Sequence, residues 1–163
     1  MIILVMGVAG AGKTTISREL SRVLGWPVTD ADSLHSPENI AKMRAGIPLT
    51  DAERRPWLEE VACRIRACLN EERNCIVACS ALKESYRRVL VISLEVHLVY
   101  LAITAELARE RLRHRPEHFM PASLVESQFA DLEPPADAIT VDASAEPSDA
   151  VQQILAGLGL ATA

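Results

Sequence analysis

Two short stretches carry most of the chemistry in this sequence. The first, GVAGAGKT at Gly7 to Thr14, places glycines, a lysine and a hydroxyl at the spacing GxxxxGK[ST], between an apolar run that predicts a strand and a segment of helical period. Glycines let successive backbone N–H groups curl around phosphate oxygens, and the start of the following helix adds positive potential. The pattern predicts a nucleotide-phosphate cradle made of Gly7, Ala9, Gly10, Ala11, Gly12, Lys13, Thr14 and Thr15. In it Lys13 reaches the β- and γ-phosphates and the Thr14 hydroxyl ligates Mg²⁺. The second stretch, TDADSLHSPENIAKM at Thr29 to Met43, gathers two aspartates, a histidine, an asparagine and a lysine close behind the loop. Asp30 and Asp32 emerge near the end of a predicted strand, the ligand edge of an open parallel sheet. One carboxylate near the metal and one near an acceptor hydroxyl would divide the work of phosphoryl transfer. We assign Asp30 to the metal's water shell and Asp32 to the hydroxyl; the alternative for either is a turn cap.

A third stretch, LARERLRHRPEHF, carries Arg109, Arg111, Arg113, His114 and Arg115 in a short basic run. Such a run is ordinarily a solvated helical face. Arg111 and Arg115 stand at i,i+4 and can face one ligand, while Arg109 and Arg113 form a second stripe.

The elements that must hold these groups alternate along the chain. Apolar β-rich runs at Ile2–Met6, Pro27–Thr29, Cys75–Cys79, His97–Ala102 and Ala138–Val141 predict strands. Between and after them, helical periodicity covers Lys13–Leu24, Pro37–Ala45, Pro56–Asn70, Ala81–Val91, Ala105–Arg113, Pro121–Leu132 and Ser148–Leu158. This βαβα order predicts an α/β fold, a three-layer αβα sandwich around a parallel sheet of about five strands. Ser36 with Pro37 reads as a helix start, and TDAE at Thr50 to Glu53 as a capping box. Pro56 predicts a kink or restart, and Trp57, spaced with Leu58, Val61, Ile65 and Leu69, predicts a core anchor.

At 163 residues the chain fits a single domain, 1–163. With 24% charged residues and no apolar run near the ~20 residues of a membrane span, it reads as soluble. The MIILVM run lacks a charged leader, which points away from a signal peptide and toward the cytoplasm. A net charge of −5 argues against a general nucleic-acid binder, so an anionic ligand must be held by local cations. Cys63, Cys68, Cys75 and Cys79 form no CxxC pair and read as buried free thiols. The chain has neither an [NT]KxD sequence to read guanine nor an apolar strand ending in Asp-Glu, features of GTP switches and large motor ATPases.

The short chain with its TDAD element resembles the small-molecule kinases of the nucleoside monophosphate kinase superfamily. Beyond that point DADSLHSPENIAKMRAGIPLTDAERRPWL resembles the gluconate kinase pattern GDxLHxxxNxxKMxxGxPLxDxDRxPWL. CSALKESYRRVL is similar to that family's CSALKxxYRxxLR, and RLRHRPEHFMPASLVESQFADLEPP to its RLxxRxxHFxxxxLLxSQFxxLExP. With the phosphate loop, these segments follow the family's order over most of residues 3 to 135. The resemblance implies ATP and Mg²⁺ as cofactors, D-gluconate as acceptor and a homodimer. A linear polyol with a carboxylate needs hydroxyl partners and cations. Asp32, His35, Asn39 and Lys42 match the first need, Arg54, Lys83 and Arg87 the second, with Ser80 and His118 as further contacts. The resemblance also implies a short lid at about 111–122 as a subregion of the domain, in which Arg111 and Arg115 align with positions that supply charge to the transferring phosphoryl group. The chain departs from the pattern at Ala31, at Asp51-Ala52-Glu53-Arg54 and at Glu117, where a bulky anion replaces a glycine beside the lid. A kinase for another hydroxylated acid such as shikimate, a nucleotide kinase, or an ATP-binding sensor without transfer stand as alternatives.

Overall fold

The computed structural model describes residues 1–114 and 121–160. In chain order the elements are β1 (Ile2–Met6), α1 (Lys13–Leu24), β2 (Val28–Asp30), α2 (Pro37–Arg44), α3 (Asp51–Asn70), β3 (Cys75–Ala78) and α4 (Glu84–Leu90). They continue as β4 (Val96–Ala102), α5 (Ala105–Arg113), α6 (Val125–Asp131), β5 (Ile139–Asp142) and α7 (Pro147–Gly157), with single 3-10 turns at Ala31–Leu34 and Ala122–Leu124. The strands form one parallel sheet in the order β2-β3-β1-β4-β5.

Strand β1 is buried along its whole length because side chains of alternate parity enter different cores. Ile3 and Val5 pack with Ile16 and Leu20 of α1, Ala108 and Leu112 of α5, and Ile154 and Leu155 of α7. Ile2, Leu4 and Met6 pack on the opposite face with Trp57, Val61 and Ile65 of α3 and Leu90 of α4. Helices on both faces give the three layers expected from the βαβα order. Parallel strands also bring the loops after β1, β2, β3 and β4 to one edge. Neighbouring β1 and β4 send their connections in opposite directions, and this reversal opens the crevice where open α/β sheets bind ligands.

Local chemistry sets the element ends. The Ser36 hydroxyl accepts from Asn39 N–H at 3.2 Å and Pro37 opens α2, as the sequence suggests. Thr50 and Glu53 form the full capping box at the start of α3. Pro56 causes no restart: α3 runs unbroken from Asp51 to Asn70. A proline there removes one intrahelical bond, to the carbonyl of Ala52, and Ala52 is exposed, so water can take that carbonyl. Helix α4 begins at Glu84 rather than Ala81, because Ala81 sits at φ +46, a left-handed conformation no helix continues through. The segment expected as one helix from Pro121 divides into a 3-10 turn and α6. Among the thiols, Cys75 and Cys79 are buried as expected, but Cys63 is exposed and Cys68 partly so. Burial pushes the Cys75 and Cys79 thiols up to about 12. No described helix is long and apolar enough to cross a membrane.

Trp57 is the core anchor its spacing implies, at 4% exposure, and it does more than fill space. Its indole N–H donates to the carbonyl of Ala31 at 2.7 Å, pinning the backbone between Asp30 and Asp32. Replacement by Phe keeps the ring and leaves that buried carbonyl without its donor. Trp57→Phe should therefore cost about 1–3 kcal/mol in chemical denaturation. An unchanged midpoint and slope would show that the bond contributes nothing to holding the turn.

Candidate active site

The phosphate loop between β1 and α1 has the shape its glycines imply. Gly7, Gly10 and Gly12 have φ of +150, +85 and +93, regions that side chains disfavour. Gly10 is further constrained by space, since a Cβ there would lie 2.7 Å from the carbonyl oxygen of Ala108 in α5. Gly12 occupies the N-cap of α1 and offers no side-chain cap. The N-terminus of α1 therefore presents positive potential to an anion in the crevice. Lys13 Nζ donates to the Val8 carbonyl at 3.0 Å, folded back along the loop it serves.

Beside the loop, Thr14 Oγ1 donates to Asp30 Oδ2 at 2.9 Å. A hydroxyl and a carboxylate in contact at the mouth of a phosphate cradle form a hard oxygen pair, the donor chemistry suited to Mg²⁺ held jointly with phosphates. The residues present fit that ion. Asp30 also accepts from the N–H of Asp32 through Oδ1 at 3.1 Å, so the capping alternative and the metal assignment describe two oxygens of one carboxylate.

One cavity joins the two halves of the sequence reading. Its walls include Gly10, Gly12, Lys13 and Thr14 from the loop, and Asp32, His35, Arg54 and Ser80 from the acceptor stretches. His35 stacks on Trp57 with ring centroids 4.3 Å apart. Burial, and then the nearby Arg54 charge, push His35 down to about 4, so the ring is neutral near pH 7. Arg54 donates through Nη1 to the Tyr86 hydroxyl at 2.9 Å and to Asp131 at 2.8 Å. Desolvation opposes the Arg54 charge, and those partners outweigh it and keep its pKa above the ordinary value.

Four residues expected at the acceptor have other partners. Lys42 Nζ pairs with the Glu53 carboxylate at 2.7 Å, and the Asn39 amide donates to the Glu53 carbonyl at 3.1 Å, so both fasten α2 to the start of α3. The Lys42 bond is the first cause holding Glu53 down to about 2. Lys83 pairs with Asp51 at 2.9 Å and with Asp131 at 3.5 Å. Arg87 is buried, and its Nη1 donates to the carbonyls of Ala81 and Leu82 at 3.1 and 2.8 Å. It braces the loop that presents Ser80, whose own carbonyl accepts from Gly7 N–H at 3.3 Å. None of the four lines the joint cavity.

Arg111, expected at the transferring phosphoryl group, lies beside the phosphate loop, near Gly12. Its Nη2 donates to the Ala143 carbonyl at 2.8 Å, and it lines a second cavity with Gly12, Thr15, Ala145 and Pro147. Arg109 pairs with Glu126 of α6, with its Nε at 3.0 Å from the carboxylate. Arg115, Glu117 and His118 lie outside the described residues. Two participants escaped the sequence reading: Tyr86, which bonds to both Arg54 and Asp51, and Gln128, whose Oε1 accepts from Ala9 N–H at 2.8 Å. Gln128 lies within the SQF of a quoted motif, but no spacing rule singles out a glutamine.

A parallel sheet in this order, with a phosphate loop after β1 and an acceptor pocket beside it, defines a phosphate-loop kinase. A family model described as an AAA domain matches residues 2–135. The gluconokinase of Gluconobacter oxydans is 46% identical over 137 residues, 83% of this chain and 76% of that protein. An unliganded sugar kinase from Janibacter sp. superposes with a TM-score of 0.90 at 41% identity, over 99% of this chain and 95% of the other. A gluconokinase from Sinorhizobium meliloti does so with 0.84 at 40% identity, over 96% and 90%. The chain belongs to the gluconokinase family.

The His35 shift has a signed consequence. Between its ordinary 6.5 and about 4 the unfolded chain binds a proton that the folded chain excludes. Stability is fully present above 6.5 and falls as pH drops through that window. In an NMR titration the His35 ring should titrate near 4, and His35→Gln should flatten the decline in stability from 6.5 to 4. A ring titrating near 6.5 would contradict the buried, stacked placement.

Proposed function

We infer that this protein transfers the γ-phosphoryl group of ATP to the 6-hydroxyl of D-gluconate, giving ADP and 6-phospho-D-gluconate. The observation that carries the reading is the single cavity lined by both the phosphate loop and Asp32, His35, Arg54 and Ser80. Identities near 40% to gluconokinases, spread over most of both chains, favour gluconate over shikimate or a nucleotide as acceptor.

Catalysis of this kind is positioning plus electrostatics. The loop amides and Lys13 bind the phosphates. Thr14 and Asp30 would hold Mg²⁺, which when bound neutralises charge on the phosphate oxygens. Asp32 aligns the acceptor hydroxyl and takes its proton as the new O–P bond forms and the bond to the β,γ-bridging oxygen breaks, ADP departing with that oxygen. Neutral His35 offers a hydroxyl partner without adding charge, and its stacking on Trp57 fixes the plane of that contact. Arg54 is the cation suited to the gluconate carboxylate, because it lines the cavity whereas Lys83 and Arg87 are committed elsewhere. The position of Arg111 favours a contact with the nucleoside side of ATP, leaving Arg115 as the arginine for the transferring group and His118 as a further acceptor contact. The reading carries with it one catalytic domain, a cytoplasmic enzyme and a homodimer.

The first test is ADP release from MgATP with D-gluconate, shikimate, glucose and AMP offered separately. Release with gluconate alone is expected; nucleotide binding without release for any acceptor would favour the sensor alternative. Asp32→Asn should lower kcat by roughly 10²- to 10⁴-fold with ATP binding retained. Near-full turnover in that variant would remove Asp32 from the proton-accepting role.

A further inference from the structure

Helix α6 follows the lid region directly and is fastened at three points. Glu126 holds Arg109 of α5. Gln128, buried to 7% exposure, accepts from Ala9 N–H of the phosphate loop at 2.8 Å. Asp131 accepts from Arg54 at 2.8 Å, on the wall of the acceptor cavity. Gln128 and Asp131 stand at i,i+3, so they lie on neighbouring positions of one helical face. Leu124 and Val125 at the start of the helix are buried in the same core as Ala9, Met43 and Leu49, so α6 is set into the body of the protein.

The geometry points to α6 as a strut coupling the two substrate sites, with Gln128 as the positioning residue at its donor end and Asp131 at its acceptor end. Gluconate drawn to Arg54 competes with, or reinforces, the hold of that guanidinium on Asp131. Any shift of Asp131 moves Gln128, which fixes the turn of the phosphate loop at Ala9. Ala9 N–H is held by a side chain from α6, so the position of α6 is felt directly at that turn of the loop. Coupling between the sites is reciprocal, so nucleotide in the loop must alter gluconate affinity by the same factor.

This inference rests on the proposed acceptor being gluconate. The test measures ADP affinity by calorimetry with and without saturating gluconate, for the wild type, Gln128→Met, Asp131→Asn and the double variant, with thermal unfolding alongside. Gluconate should change ADP affinity in the wild type by roughly 5-fold or more. Each single variant should bring that factor close to one, and the double variant should lower it no further. A residue that merely stabilised the fold would lower the unfolding temperature and leave the factor intact. Gln128→Met leaves a buried N–H unpaired; if it does not fold, Asp131→Asn, at a partly exposed position, decides the matter alone. A wild-type factor of one, or a folded variant that keeps the wild-type factor, overturns the strut. Gluconate-dependent ADP release alongside a factor of one would overturn the strut alone, whereas no release with gluconate would overturn the function on which it rests.

Discussion

Strand β1 is buried on both faces, and most of the architecture follows from that constraint. Five consecutive apolar residues with no exposed face can be satisfied only by pairing on both sides and by helices above and below. Parallel pairing then sends every crossover back over a face and delivers every loop that follows a strand to the same edge. The phosphate loop leaves β1 at that edge, the Asp30 and Asp32 turn leaves β2, and the loop carrying Ser80 leaves β3. Donor and acceptor chemistry meet because the strand beneath them could be buried in no simpler way.

Around that meeting point charge is arranged in pairs. A chain with net charge −5 has to receive a nucleotide and an acidic sugar, both anions. It neutralises several of its nearby cations: Lys42 by Glu53, Lys83 by Asp51, Arg109 by Glu126. These partly exposed pairs contribute little to stability individually. Their effect is geometric: the Lys42–Glu53 pair ties α2 to the capping box that opens α3, the helix that carries Arg54. Arg54 is paired with Asp131 and is still part of the cavity wall.

The parts of the site legible in the sequence are those defined by backbone and local spacing. The phosphate loop could be read because its glycines, its lysine and its strand–helix setting are all local, and Asp30 and Asp32 because a strand end dictates where they emerge. Trp57 could be assigned to the core by helical spacing alone. The partners of Asn39, Lys42, Lys83 and Arg87 could not be read, because nothing local says whether a polar side chain faces a ligand, a carboxylate or a backbone carbonyl brought close by folding. Gln128 was illegible for the same reason, as its partner at Ala9 is supplied by the tertiary fold. Pro56 misled because propensity describes an average helix, and the price of the missing bond depends on whether Ala52 can reach water.

Gly10 is fitted against the backbone of Ala108 so closely that a single added methyl group would strike a carbonyl oxygen. A backbone atom cannot be trimmed by mutation, so no substitution at Ala108 itself relieves the collision. Descent therefore has few routes away from glycine at this codon, and each requires helix α5 to shift bodily. Among naturally occurring variants of this lineage, Gly10 should persist even where the surrounding loop letters drift, held in place by a neighbour encoded far along the gene.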